Sequence, residues 1–231
     1  MTDTAKVFVN GLDDVVAAAT ELSHVFGDEG KLVYRGYDIH ELANKASFAE
    51  VAYLLWKGNL PTRTELDEFE HAAAQYRELP QQVIDGLRQV SKKANPMDAL
   101  RTGVSLFGAV RDGRYEDVGT FDEALELSVA FPAIAAAFYR LREGKEPIQG
   151  RKDLNTAQNF LYMITGEVPE ERHWKPLDTY FALLADHGLN ASTFTARVIA
   201  STNSDIASAL TGAIGALKGP AHGGAPAKVL D

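Results

Sequence analysis

Apolar residues recur at helical intervals along most of the chain. Phe48, Val51, Ala52 and Leu55 fall on one helical face, and Ser47 and Glu50 ahead of them have the spacing of a reciprocal capping box. Gly58 and Pro61 break this helix, and Thr62 and Glu65 repeat the box before Leu66, Phe69, Ala73 and Tyr76. Pro80 ends that run, and Val83, Leu87 and Val90 predict another helix. Asn95-Pro96 reads as a helix start, with Asn as cap and Pro at the first helical position, and Leu100, Val104 and Phe107 continue it. Leu127, Phe131, Ile134, Phe138 and Leu141 keep the period, with a kink expected at Pro132. Further helices are predicted over 154–164, from Pro176 through Leu184, over 190–202 and over 204–218. Residues 111–120 and 143–153 read as loops. One segment departs from this rule: residues 22–26 and 31–35 flank Gly27-Asp28-Glu29-Gly30 and predict a short β-hairpin. The fold class is therefore all-α with one short N-terminal hairpin. Strands and helices do not alternate, which excludes a Rossmann fold or an α/β barrel.

Composition narrows the chemistry. The 231 residues suit one large domain or two small ones, and the absence of cysteine removes disulfides, thiolate nucleophiles and Cys-based metal sites. A net charge of −9 argues against nucleic acid as a partner. The first ten residues lack the pattern of a signal peptide, and no apolar run approaches the ~18 residues that read as a membrane span. A cytoplasmic protein with no membrane partner is the expectation. The segments over 190–218 are rich in Ala, Ser, Thr and Gly, which lets helices approach closely and suggests cover by neighbours or by a second subunit.

Two histidines stand in ordered runs. His222 lies in Gly219-Pro220-Ala221-His222-Gly223-Gly224-Ala225-Pro226, and His187 in Asp186-His187-Gly188-Leu189-Asn190-Ala191-Ser192-Thr193. Both runs predict a histidine at a helix boundary, where unpaired backbone N–H groups favour anionic or carbonyl ligands. His24, His40, His71 and His173 stand in polar or turn contexts and read as solvated. Arg35 and Arg101 read as partners of nearby acids, and the cluster Glu65, Asp67, Glu68 and Glu70 as a solvated helix face. There is no HExxH, no nucleotide-binding glycine loop and no Gly-x-Ser-x-Gly elbow, and no metal site is expected.

Five runs in order carry a family resemblance. Tyr34-Arg35-Gly36-Tyr37-Asp38-Ile39 with Phe48 through Leu60-Pro61-Thr62, then Pro96-Met97-Asp98, Asn159-Phe160-Leu161-Tyr162-Met163, Ala185 through Thr202, and Gly219 through Ala225 resemble the citrate synthases. The match begins near Gly11, and its wording is that of the bacterial and archaeal citrate and 2-methylcitrate synthases. The resemblance implies a Claisen-type acyltransferase of the tricarboxylic acid or methylcitrate cycle, with acetyl-CoA or propionyl-CoA and oxaloacetate as substrates and no metal or other cofactor. It implies His222 as the catalytic histidine that hydrogen-bonds the thioester carbonyl and stabilises the enol. It implies His187 as an oxaloacetate ligand. A neutral imidazole at a helix N-terminus would suit the first role, because the dipole disfavours the imidazolium.

The resemblance also implies a large helical domain over 1–218, the start of a small domain over 219–231, and a homodimer formed through large-domain helices, with 190–218 as the candidate surface. The family's second catalytic histidine, its aspartate base, its carboxylate-clamping arginines and most CoA contacts fall beyond residue 231. These 231 residues alone are therefore expected to be inactive and prone to aggregate. Asn95 stands where many members have His, and Ala221 where a larger apolar residue is frequent. A second reading is a non-catalytic helical module that dimerises or binds a small dicarboxylate.

Overall fold

The computed structural model describes residues 18–111 and 120–223. Most of the expected 111–120 loop, and Gly224, Ala225 and Pro226 of the histidine motif, lie outside the described residues. Near the N-terminus, β1 (Ser23–Phe26) and β2 (Lys31–Tyr34) pair antiparallel with Ser23 opposite Tyr34, as the hairpin expectation has it. The expectation was short by one strand: β3 (Tyr37–Asp38) pairs with β2 to give a three-stranded sheet. The β2–β3 turn is Arg35-Gly36, with φ of +47° and +88°, the left-handed pair of a tight two-residue hairpin. Arg35 is an unusual residue for that conformation. Its guanidinium holds the turn by donating to the Leu55 carbonyl and to Glu21, both at 3.2 Å.

Ten helices follow among the described residues. A short α1 (Ile39–Lys45), which the apolar pattern does not reveal, is capped by Asp38, whose carboxylate accepts from His40 N–H at 2.8 Å. The two expected capping boxes open α2 (Phe48–Lys57) and α3 (Arg63–Ala74). Then come α4 (Gln81–Val90) and α5 (Pro96–Val110), the latter capped by Asn95 with Pro96 in its first turn. The central α6 (Phe121–Arg142) continues through Pro132 as one helix. The apolar pattern does not mark α6 as long enough for a bilayer, yet its length and composition are sufficient; 56% of its apolar window is buried inside the protein, which makes it a core helix here. A third box, Asn155 with Gln158, opens α7 (Thr156–Thr165). Pro176 does not start a helix. It is the sixth residue of α8 (Glu171–Leu183), past the first turn, where its ring leaves the Arg172 carbonyl without its helical donor. The chain closes with α9 (Ala191–Ala200) and α10 (Ile206–Leu217).

Three apolar clusters hold these elements. The largest packs α4, α5, α6, α7 and α10 around the fully buried Leu87, Val104, Leu127 and Ile134. A second closes the sheet, α1 and α2 onto Ala182 of α8 through Tyr34, Ile39, Val51 and Leu54. A third joins α3 to α6 through Phe69, Ala73, Leu125 and Val129. The small-residue tract near the end of the chain is used for close approach. A Cβ on Gly108 of α5 would sit 2.4 Å from Cβ of Ala207 in α10.

Candidate active site

The loop that carries His187 joins α8 to α9 and is clamped from the opposite end of the chain. Tyr34 is fully buried, and its hydroxyl lies 2.8 Å from both the Leu183 and Asp186 carbonyls. The same oxygen accepts from Asp186 N–H at 3.2 Å. Burial pushes the Tyr34 phenol above its ordinary pKa, so it remains a neutral donor. The Asp186 carboxylate accepts from Ser23 Oγ and, at 2.9 Å, from Gly188 N–H. Gly188 takes φ of +67° at the turn. Asn190 then caps α9 by accepting from Thr193 N–H at 2.9 Å. His187 is thus exposed on an anchored loop, just ahead of the positive end of α9.

His222 lies in the turn that follows α10. Its N–H donates to the Gly219 carbonyl at 2.9 Å, and Gly223 N–H donates to the same oxygen at 3.0 Å. A Cβ at Gly223 would fall 2.0 Å from the Leu217 carbonyl oxygen, so only glycine fits here without rearrangement. The start of this turn is tied down by Lys218, which reaches Asp98 at the head of α5 at 2.7 and 2.8 Å. That contact, with Arg101 beside it, holds the Asp98 carboxyl below the usual range. The imidazole Nε2 lies 2.9 Å from Ser192 Oγ in the first turn of α9, and Ser192 Oγ lies 3.0 Å from the Ala213 carbonyl of α10.

A hydroxyl has one hydrogen, and this sets the chemistry of the ring. When Ser192 donates to Ala213, it accepts from Nε2–H, and a neutral ring then has Nδ1 as its lone pair. When Ser192 turns to donate to Nε2, the proton of the neutral ring is on Nδ1, and Nδ1–H becomes a donor for a ligand. The tautomer of His222 is therefore coupled to the direction in which the Ser192 hydroxyl points.

Within the described residues, His222 follows the C-terminal end of α10 (Ile206–Leu217). The first turn of α9 brings the two histidine motifs together: His187 precedes its cap by three residues, and Ser192 within it touches His222. Ser192, Tyr34, Ser23 and Asp186 were not singled out as participants from sequence. Ser192 and Asp186 stood in plain view inside the His187 run, but their partners lie 30 and 163 positions away. Among the described residues, no group of three or more His, Asp or Glu side chains is placed to hold a metal ion.

Comparison with known proteins places this geometry. Residues 11–231 match the family described as citrate synthase, C-terminal domain. The citrate synthase of Haloferax volcanii is 46% identical over 95% of this chain and 60% of its own length. The 2-methylcitrate synthase of Mycobacterium tuberculosis is 42% identical over 95% of this chain and 56% of its own. Among solved structures, the Thermoplasma acidophilum citrate synthase, in a ternary complex with carboxymethyl coenzyme A and oxaloacetate, superposes with a TM-score of 0.85 at 29% identity, covering 92% of this chain and 56% of that one. The chain spans about 60% of the length of the curated relatives it matches. With its ordered motifs, its helical body and the joined His187 and His222 turns, the chain belongs to the citrate synthase family.

Proposed function

We propose that this chain contributes to an acyltransferase that condenses acetyl-CoA or propionyl-CoA with oxaloacetate, giving citrate or 2-methylcitrate. The carrying observation is the His222–Ser192 contact at 2.9 Å, formed on the same helical turn that follows His187. In this reading a base removes the α-proton of the thioester. The enol oxygen that develops needs a positioned donor, and His222 Nδ1–H supplies it when Ser192 donates to Nε2. The α-carbon then bonds to the ketone carbon of oxaloacetate; the C=O π pair moves to the ketone oxygen, which takes a proton, and the thioester carbonyl re-forms, with the oxaloacetate carboxylates near His187 and the positive end of α9 in this reading. Hydrolysis of the thioester releases CoA. Residues 219–223 open the second domain in this reading. The aspartate base belongs to the part of the relatives that this chain does not span.

The test is release of CoA thiol from acetyl-CoA and from propionyl-CoA in the presence of oxaloacetate. A chain extended to the length of its relatives is compared with its His222→Gln variant. A loss of roughly 10²–10³ in kcat is expected, the size of one missing donor at a developing oxyanion. Equal rates would remove His222 from the chemistry. No thiol release is expected from the 231 residues alone; turnover by them would sink the assignment of the base.

We further infer a homodimer through the surface over 190–218. No residue of α9 is buried, although the helix carries Phe194, Val198 and Ile199, and Val198 is 50% exposed. Light scattering should give twice the chain mass, and Val198→Asp should shift it towards one. A monomer at all concentrations would count against this surface.

A further inference from the structure

Between α2, α3, α6 and the start of α7 lies a cavity of about 360 Å³. Its walls include Phe69, Leu125 and Val129, and Arg77 and Lys152 reach it as cations. His187, Ser192 and His222 take no part in its lining.

Arg77 is the anomaly. Only 6% of its surface is exposed, yet among the described residues no carboxylate lies within ion-pairing distance. Its Nη2 makes one long bond of 3.4 Å to the Leu154 carbonyl, and its buried Nε has no partner. Guanidinium stays protonated at ordinary pH, so this is a buried charge short of acceptors. Glu70, on the same cavity wall, acts on this charge only through space and makes no bond to it, and a buried charge so short of contacts points to an acceptor that completes it. The adjoining start of α7 adds a second attraction for an anion. The Asn155–Gln158 box occupies the Asn155 and Gln158 amides, and Thr156, the first residue of α7, lines the cavity. Lys152 donates to Gln75 Oε1 at 3.1 Å and keeps further N–H groups for a ligand.

We propose that this cavity binds a small monocarboxylate with an apolar body. The carboxylate would meet Arg77, Lys152 and the first turn of α7, and the body would lie against Phe69, Leu125 and Val129. The walls select against a second negative charge, because Glu70 and Asp153 also line the cavity. A bare phosphate would leave the aromatic and aliphatic walls unfilled.

The test uses the chain extended to the length of its relatives and 3-phenylpropanoate, followed by calorimetry and by tryptophan emission, to which Trp56 at the cavity wall contributes. Saturable one-to-one binding is expected. The neutral 3-phenylpropanol should bind at least about tenfold more weakly, as should 3-phenylpropanoate to Arg77→Met, for loss of a charge-assisted contact. Ser128→Trp blocks the cavity from α6 with Arg77 intact, so it tests the place separately from the charge; it too should lose binding. The proposal is overturned if the wild type shows no saturation at low-millimolar probe, or if folded Ser128→Trp binds as the wild type does. It is equally overturned if inorganic phosphate competes as well as the probe, which would make the site one for bare anions.

Discussion

At the residue scale, one hydroxyl decides what an imidazole can offer. Ser192 lies between His222 Nε2 and the Ala213 carbonyl, at 2.9 and 3.0 Å, and its single hydrogen can serve only one of them. Replacing it with alanine leaves Nε2 without its partner and the ring free to take either tautomer. On the function proposed above, Ser192→Ala in a chain extended to the length of its relatives should lower kcat by about tenfold, a part of what positioned proton donors contribute. KM for oxaloacetate should stay close to that of the wild type, because His187 keeps its own anchors. The ring ¹⁵N shifts of His222 should move towards a mixed tautomer in the same variant. An unchanged kcat with unchanged ring shifts would show that the serine only packs. Sequence made the histidines legible because their glycine-rich and polar runs are local. Ser192 was visible as a letter but not as a partner, since the 2.9 Å contact joins positions 30 apart.

At the element scale, short-range signals were the readable ones. Capping residues act within one turn, and Ser47, Thr62 and Asn95 all cap the helices expected of them. The third strand escaped because its turn uses Arg35 in a left-handed conformation that distant contacts stabilise. α1 escaped because seven residues hold too little periodicity. What sequence suggested but could not locate was close helix packing. Gly108 meets Ala207 of α10, and neither a Cβ nor a helix backbone can yield as a flexible side-chain end does. Gly108→Ala gains about 1 kcal/mol of helix propensity, against about 1–3 kcal/mol for overpacking. Net destabilisation is expected. Gly215→Ala in α10 has its nearest neighbour, Arg101 Cδ, at 4.0 Å, so only the propensity gain remains and the variant should be more stable. Urea unfolding of the pair should move the midpoints in opposite directions; a shift in the same direction would mean that the α5–α10 contact relaxes freely.

At the scale of the whole molecule, the N-terminal sheet and α2 are joined to α8 by contacts that span most of the chain. Asp178 of α8 reaches across to cap α2 by accepting from Phe48 N–H at 3.0 Å. Burial pushes its carboxyl above the ordinary value, and the Phe48 bond and Lys175 only partly offset this. The sign of the consequence is fixed by that direction. A carboxyl with a raised folded-state pKa penalises the folded state once it is ionised, so its penalty is present at neutral pH. The penalty fades as pH falls through the folded pKa and is gone below the unfolded value of 3.8. Asp98, Asp153 and Glu146 act in the opposite sense, each held low by a cationic partner and each losing its contribution in acid. Asp153 and Glu146 are exposed and Asp98 is half-buried at the surface, so their individual effects are small. Asp178→Asn keeps an oxygen for Phe48 N–H and removes the charge. It should therefore be more stable than the wild type at pH 7, with the difference shrinking towards zero in acid. Asp178→Ala removes the acceptor as well and should lose about 1–3 kcal/mol by stranding the Phe48 amide. Thermal melts of the three proteins from pH 7 to pH 3 separate these terms. An Asn variant whose advantage grows in acid would mean that Asp178 is stabilised as a carboxylate, and that the α2–α8 junction is held by charge rather than by a neutral cap.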